Sequence, residues 1–392
     1  MTQLSTFDHA ADILRPHGLY LHIPFCRSKC SYCAFYSLPG KNLPLEKYVQ
    51  ALKREISLRS HSNLLSGRIF ATIFFGGGTP TMLPATDLVR LLDGCRKAFS
   101  FHPNPEVSVE VNPATIDREG LLTLRQGGFN RISIGLQSLD DTELRLLGRP
   151  HDMASGLETA RLAKSVGFTN LSLDLMYGLP GQTAQQWRIN IQRALELAPQ
   201  HLSIYELTPE EGTPLAALLD KGIYNLPLED DLLEMMEITV QECETQGIKR
   251  YEISNYALPG FECEHNRNYW LARPYLGLGP GAVSRLGDRR TACEANLDAY
   301  CLALEQSSMP SAEEEFLDPE TLFREAVILG LRTLAGVSIS QLKKHYHIEL
   351  TTYYGETLTK LIRQNFLVIE NNYLRLTPQG LPIANSVASL LV

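Results

Sequence analysis

From residue 18 to about 247 the chain alternates short β-rich runs with longer amphipathic stretches, and this rhythm narrows its fold more than any other feature. The runs are GLYLHI (18–23), RIFATIFF (68–75), EVSVEV (106–111), RISIGL (131–136), NLSLDLMYG (170–178) and HLSIYEL (201–207). Helical patterns fall near 45–60, 85–99, 117–127, 152–167, 183–198 and 229–247. Strand–helix units of about 30 residues or more imply a parallel sheet with right-handed crossovers. Six in series predict an α/β fold, a partial (β/α)6 barrel.

In such barrels the chemistry gathers in the loops that follow the strands. Here a cysteine-rich loop follows the first run and GGGTPT (76–81) the second. VNP (111–113), LQS (136–138), YGLPGQT (177–183) and LTPEEGTP (207–214) follow the others. Any one of these is readable as a tight turn of Gly, Pro and Asn. Several on one rim point to a site.

At 392 residues the chain exceeds one ordinary core. It divides into an N-terminal arm (1–17), the barrel (18–247), an irregular region (248–306), a polar, acidic linker (307–317) and a C-terminal domain (318–392). In that domain, helices at 318–334, 338–346 and 351–364, a hairpin over 366–376 about Asn371-Asn372 and a closing helix at 379–391 predict a small winged-helix-like domain. Over 316–392 seven Lys/Arg face six Asp/Glu, poor for phosphate contacts. A structural or partner-binding role is favoured over DNA binding, and with a net charge of −8 for the chain no nucleic acid partner is expected. The first 17 residues lack the basic start and apolar run of a signal peptide, and no stretch approaches ~18 uninterrupted apolar residues. The expected location is cytoplasmic, where eight cysteines argue for metal or redox work rather than a disulfide framework.

Three of them, Cys26, Cys30 and Cys33, crowd into HIPFCRSKCSYCAFYS (22–37) with no fourth. Structural zinc takes four ligands and catalytic zinc three plus water, and His22 stands near enough in sequence to complete such a set. Three thiolates also hold a 4Fe-4S cubane with one iron open to a further ligand. Simple buried or redox thiols are a third reading, and spacing alone leaves all three open.

Cys26-x3-Cys30-x2-Cys33, with Tyr32 just before the last cysteine, resembles the signature of radical S-adenosylmethionine (SAM) enzymes, whose fold is a partial barrel. The resemblance implies that the open iron chelates the amino and carboxylate groups of SAM, and that one electron from the cluster cleaves its C–S bond to a 5′-deoxyadenosyl radical. Within that superfamily the chain is similar to the branch of oxygen-independent coproporphyrinogen III oxidase, through YLHIPFC, FFGGGTPT, VEVNP, SIGLQS, LLGRPH, DLMYGLPGQT and YELTPEEGTP. By position in these motifs, the resemblance assigns Tyr20, Tyr32, Gly77, Gly78, Thr79, Glu110, Gln137, Arg149 and Asp174 to SAM. Glycines let backbone carbonyls approach an ammonium group, and carboxylates accept from ribose hydroxyls.

Two members of this branch compete. The oxidases decarboxylate porphyrinogen propionates; their cluster motif continues with a fourth cysteine two places on, behind a long N-terminal arm. This chain has Phe35 at that place and only 19 residues before Tyr20, departures that favour the branch's heme chaperones. Those carry a His-Asn-x-x-Tyr-Trp motif associated with heme, found here as His265, Asn266, Tyr269 and Trp270. Imidazole is a competent axial ligand and the aromatics offer flat apolar faces, although a His-Asn pair beside aromatics is also a common structural corner. Cys263 is a second axial candidate, and Val283 replaces a histidine that commonly follows Gly-Ala in the relatives.

The expectation is therefore a heme chaperone that holds a 4Fe-4S cluster, SAM and heme. Its partners are an electron donor and an acceptor protein, a membrane protein among the candidates. Coproporphyrinogen oxidase activity is not expected, although the oxidase remains the alternative, followed by a zinc-containing structural protein; turnover of SAM stays open.

Overall fold

The computed structural model describes residue 12 and residues 15–392, so most of the expected arm at 1–17 lies outside the described residues. Six parallel strands follow one another in chain order: β1 (His17–Ile23), β2 (Phe70–Gly77), β3 (Phe101–Val111), β4 (Arg131–Gln137), β5 (Leu171–Tyr177) and β6 (His201–Glu206). Between them run α1 (Leu45–Ser60), α2 (Ala85–Ala98), α3 (Arg118–Gln126), α4 (Asp141–Leu146), α5 (Met153–Ser165) and α6 (Ala184–Leu195), with α7 (Pro214–Asp220) and α8 (Glu229–Thr245) after the last. Several of these helices begin where a side-chain oxygen takes a free backbone N–H. Asp117 caps α3, Asp140 α4 and Asp152 α5, and Thr183 with Gln186 forms a capping box on α6.

The sheet continues past the six strands. Next to β6 lie β8 (Asn255–Ala257) and β7 (Lys249–Arg250). On the other edge β9 (Tyr275–Leu278) pairs in parallel with β1, and β10 (Val283–Leu286), β11 (Arg289–Cys293) and β12 (Ser311–Phe316) extend it antiparallel. The region read as irregular thus supplies five strands and two helices, α9 (Glu264–Trp270) and α10 (Leu297–Glu305). Most of the segment read as a linker is the edge strand β12. Its SAEEEF sequence is exposed throughout and carries no apolar alternation, so nothing local announces a strand. Pairing comes from the neighbour: Arg289 and Arg290 of β11 meet Glu314 and Glu315 at 3.2 and 2.9 Å.

The C-terminal unit packs α11 (Pro319–Gly330), α12 (Ile339–Tyr346) and α13 (Leu350–Arg363) with the hairpin β13 (Leu367–Glu370)–β14 (Tyr373–Leu376) around Phe323, Leu342, Leu358 and Leu374. Residues 337–338 add a third strand to the wing, and the closing helix is only α14 (Ala384–Ser389). Among the described residues no helix is long and apolar enough to cross a membrane.

Candidate functional site

Side chains of a strand alternate between faces. In β1, Leu19, Leu21 and Ile23 are fully buried in the apolar core under the helices, which leaves Gly18, Tyr20 and His22 on the barrel axis. The same phase puts polar groups on the axis in the other strands. Glu110, Ser133, Ser172 and His201 are lateral neighbours in register across β3 to β6. The barrel therefore has an apolar jacket and a polar bore.

At the C-terminal ends of the strands the bore opens into a cavity of about 480 Å³. Cys26, Cys30 and Cys33 share its wall with Tyr32, Gly77, Gly78, Thr79, Glu110, Gln137, Arg149 and Asp174. Of the residues assigned to SAM only Tyr20 is absent from that wall. It lies deeper, its hydroxyl 3.0 Å from His22 Nδ1 and its ring stacked on Phe74 and His265.

The cysteine loop is pinned from several directions. Ser31 N–H and Oγ donate to the carbonyls of Leu147 and Leu146, both at 3.0 Å, and its own carbonyl accepts from Leu215 N–H at 2.8 Å. Thr79 Oγ1 lies 3.7 Å from Cys26 Sγ. Arg149 donates to Cys30 Sγ at 3.4 Å, to the Gly135 carbonyl at 2.8 Å and to Asn112. A Cβ on Gly78 would stand 2.7 Å from the Phe25 carbonyl oxygen and 2.9 Å from Cys26 Sγ, so the close approach of strand and loop demands glycine. Gly77, at φ +119°, donates its N–H to Glu110 Oε2 at 3.2 Å.

Burial raises the Cys26 and Cys33 thiols above their ordinary range. Burial, and then the neighbouring Asp174, pushes Glu110 up to about 8. Asp174 is also raised by burial, against hydrogen bonds from Ser133 (2.8 Å) and Ser172 (3.3 Å). Such a site gains when a cation enters and lets its acids and thiols ionise. All three cysteines are free, and Arg149 Nε is buried without a partner. Among the described residues no three His, Cys, Asp or Glu side chains converge as a single ion requires. Three thiols around a shared space fit a polynuclear cluster with a further ligand.

Sequence reasoning passed over Asn112, Gly135 and Tyr205, which also line the cavity. Asn112 joins Thr79 to Arg149. The polar alternation inside EVSVEV, RISIGL and HLSIYE was the available signal, since strands buried on both faces by apolar packing read as continuous hydrophobic runs.

The heme-associated residues lie elsewhere. α9 closes the opposite end of the bore, where Glu106 of β3 accepts from Glu264 N–H and His265 N–H at 3.1 and 3.0 Å. His265 is 2 % exposed, with Nδ1 2.7 Å from Thr72 Oγ1 and Nε2 3.2 Å from the Tyr269 hydroxyl. Burial lowers its pKa to about 3. As folded, His265 offers no free ring nitrogen to an iron. Tyr269 packs edge-on against Tyr275, and the Trp270 ring lies 4.5 Å beneath the Arg332 guanidinium. Asn266 is partly exposed, Cys263 is buried with its thiol pushed up to about 12, and Val283 sits on β10. One hydrogen-bonded series joins the two ends. From Asp174 it passes through Ser172 to His201 (2.8 Å), on to the Tyr251 hydroxyl (2.9 Å), which accepts from Cys263 N–H (3.2 Å) just ahead of α9.

Barrel, polar bore and three-cysteine rim together define a class, the radical SAM proteins. The family model described as Radical SAM superfamily matches residues 20–193, and that of the HemN C-terminal domain matches residues 317–383. A solved structure of coproporphyrinogen III oxidase (HemN) from Escherichia coli, described as a radical SAM enzyme, superposes with a TM-score of 0.83 at 26% identity over 96% of this chain and 90% of that one. Curated relatives named "Heme chaperone HemW" include the Bacillus subtilis protein, 34% identical over 94% of this chain and 97% of its own length. The Escherichia coli relative of that name is 39% identical over 70% of this chain and 71% of its own. The chain belongs to the HemW family.

Proposed function

We propose that this protein is a cytoplasmic heme chaperone, which binds heme and hands it to an acceptor protein while carrying a 4Fe-4S cluster on Cys26, Cys30 and Cys33 and exchangeable SAM. The observation that carries this reading is Phe35. It stands on the cavity wall, 74% exposed, at the place where the oxidases resembled here continue with a cysteine. When bound, the cluster supplies an open iron for SAM and a store for one electron from a donor protein.

The chain's own residues do the rest. Thr79 and Arg149 hold the Cys26 and Cys30 thiols in place. Gly77 and Gly78 bring backbone close to the ligand space, and Glu110 and Asp174 take its hydroxyls or its positive charge. Membrane proteins are among the candidate acceptors.

Anaerobic reconstitution with iron and sulfide, followed by heme titration and a coproporphyrinogen assay, tests the reading. Retained heme with no porphyrinogen decarboxylation is expected. Product formation without heme retention would replace the chaperone with the oxidase.

A further inference from the structure

We infer that heme first docks at the cavity mouth, its face on Phe35 and its propionates on Arg27 and Lys29, rather than at His265. The inference rests on the heme-chaperone reading and adds a site to it. His265, buried with both ring nitrogens hydrogen-bonded, is not a surface that a ligand from solution can meet. The mouth of the cysteine cavity is such a surface.

Phe35 is the most exposed aromatic side chain among the described residues, on a loop otherwise well anchored. Tyr205, 42% exposed, lies on the same cavity wall and comes from the last of the six barrel strands, while Phe35 follows the first. Tyr205 carries the aromatic lining inward from the loop of Phe35, towards Ser203 and Asp174.

The loop that carries Phe35 runs against the charge of the whole chain. Residues 24–45 hold Arg27, Lys29 and Lys41 and no acid, in a protein of net charge −8, while Glu206 and Glu210 from the last barrel strand and its loop line the same cavity. Arg27 and Lys29 are exposed on the cavity wall, and neither meets a carboxylate among the described residues. Lys29 Nζ donates to the Phe35 carbonyl at 3.3 Å, which places its ammonium beside the ring-bearing residue with donors to spare. Heme is a flat apolar macrocycle with two carboxylates on one edge. An exposed ring that shares its wall with two cations free of carboxylate partners complements both features.

Ferric heme is titrated into the cluster-loaded protein and followed by Soret difference spectra, for wild type, Phe35→Ala and Arg27→Ala/Lys29→Ala. All three positions are exposed, and iron content checks that the cluster survives. Each variant should weaken heme binding by roughly tenfold, and added salt should weaken wild type more than the double variant. Heme dimethyl ester, which has no free propionates, gives a second measure in unaltered protein. It should bind wild type and the double variant equally and still lose affinity in Phe35→Ala. Unchanged heme affinity in both variants would overturn the docking site and leave the chaperone reading standing, as would variants whose only defect is slower cluster reduction by an acidic donor protein. A wild-type protein that holds no heme would instead remove the chaperone reading, and this site with it.

Discussion

Glu110→Gln in cluster-free protein probes the polar bore directly. The Glu110 carboxyl ionises near 4.5 in the unfolded chain and is held at about 8 in the fold, by burial first and by Asp174 second. An acid raised in this way stays protonated in the folded state while the unfolded state loses its proton. Folding stability is therefore fully present below 4.5, falls as pH rises from 4.5 to 8, and is level above. At about 1.4 kcal/mol per pH unit the ceiling is about 5 kcal/mol. Because the side chain borders an open cavity, where water screens the charge, about 2–3 kcal/mol is the expected loss. Glutamine keeps the shape and the acceptor for Gly77 N–H but cannot ionise. Urea unfolding at intervals from pH 4.5 to 9 should show a gap between variant and wild type that opens through this window in favour of the variant. Asp174 is raised in the same direction and repels Glu110, so the gap between the two proteins reads the coupled pair rather than Glu110 alone. Parallel stability curves across the whole range would refute the burial argument.

Other substitutions test the site piece by piece. Gly78→Ala forces a methyl against the Phe25 carbonyl and Cys26 Sγ, costing about 1–3 kcal/mol and lowering iron loading; full loading with an unchanged urea midpoint would contradict the packing. Cys30→Ser should lose the cluster, read as iron content and visible absorbance, and a variant that kept full iron and SAM binding would remove Cys30 from the ligand set. His265→Ala empties a filled site and strands Thr72 and Tyr269, costing about 2–4 kcal/mol. If His265 also reaches heme after docking, its Soret band shifts or its affinity falls, and an unchanged spectrum and affinity place the axial ligand elsewhere.

Several features were legible because they are written in neighbouring residues. Six strand–helix units follow from hydrophobic periodicity, with helices expected from 117, 152 and 183 that begin at the caps Asp117, Asp152 and Thr183, whereas the short helices α4 and α7 were not foreseen. The cysteine triad and Gly77-Gly78 fall on the functional rim because loops after parallel strands share one end of a barrel. Strand β12 was not legible. An all-exposed, acidic stretch has no period, and a neighbouring strand gives it a place through its backbone ladder and two arginines.

The sequence by itself determined the barrel, its active rim and the incomplete set of three thiols, since each depends on spacing within a loop or a repeat. Tertiary structure alone decided what surrounds them. Arg149 reaches Cys30 across 119 positions of chain, and Thr72 meets His265 across 193. Contacts of that separation leave no mark in a local window, because their partners come together only when the sheet closes. That closure turns His265 inward, into the floor of a polar bore, and leaves Phe35 facing out at its mouth.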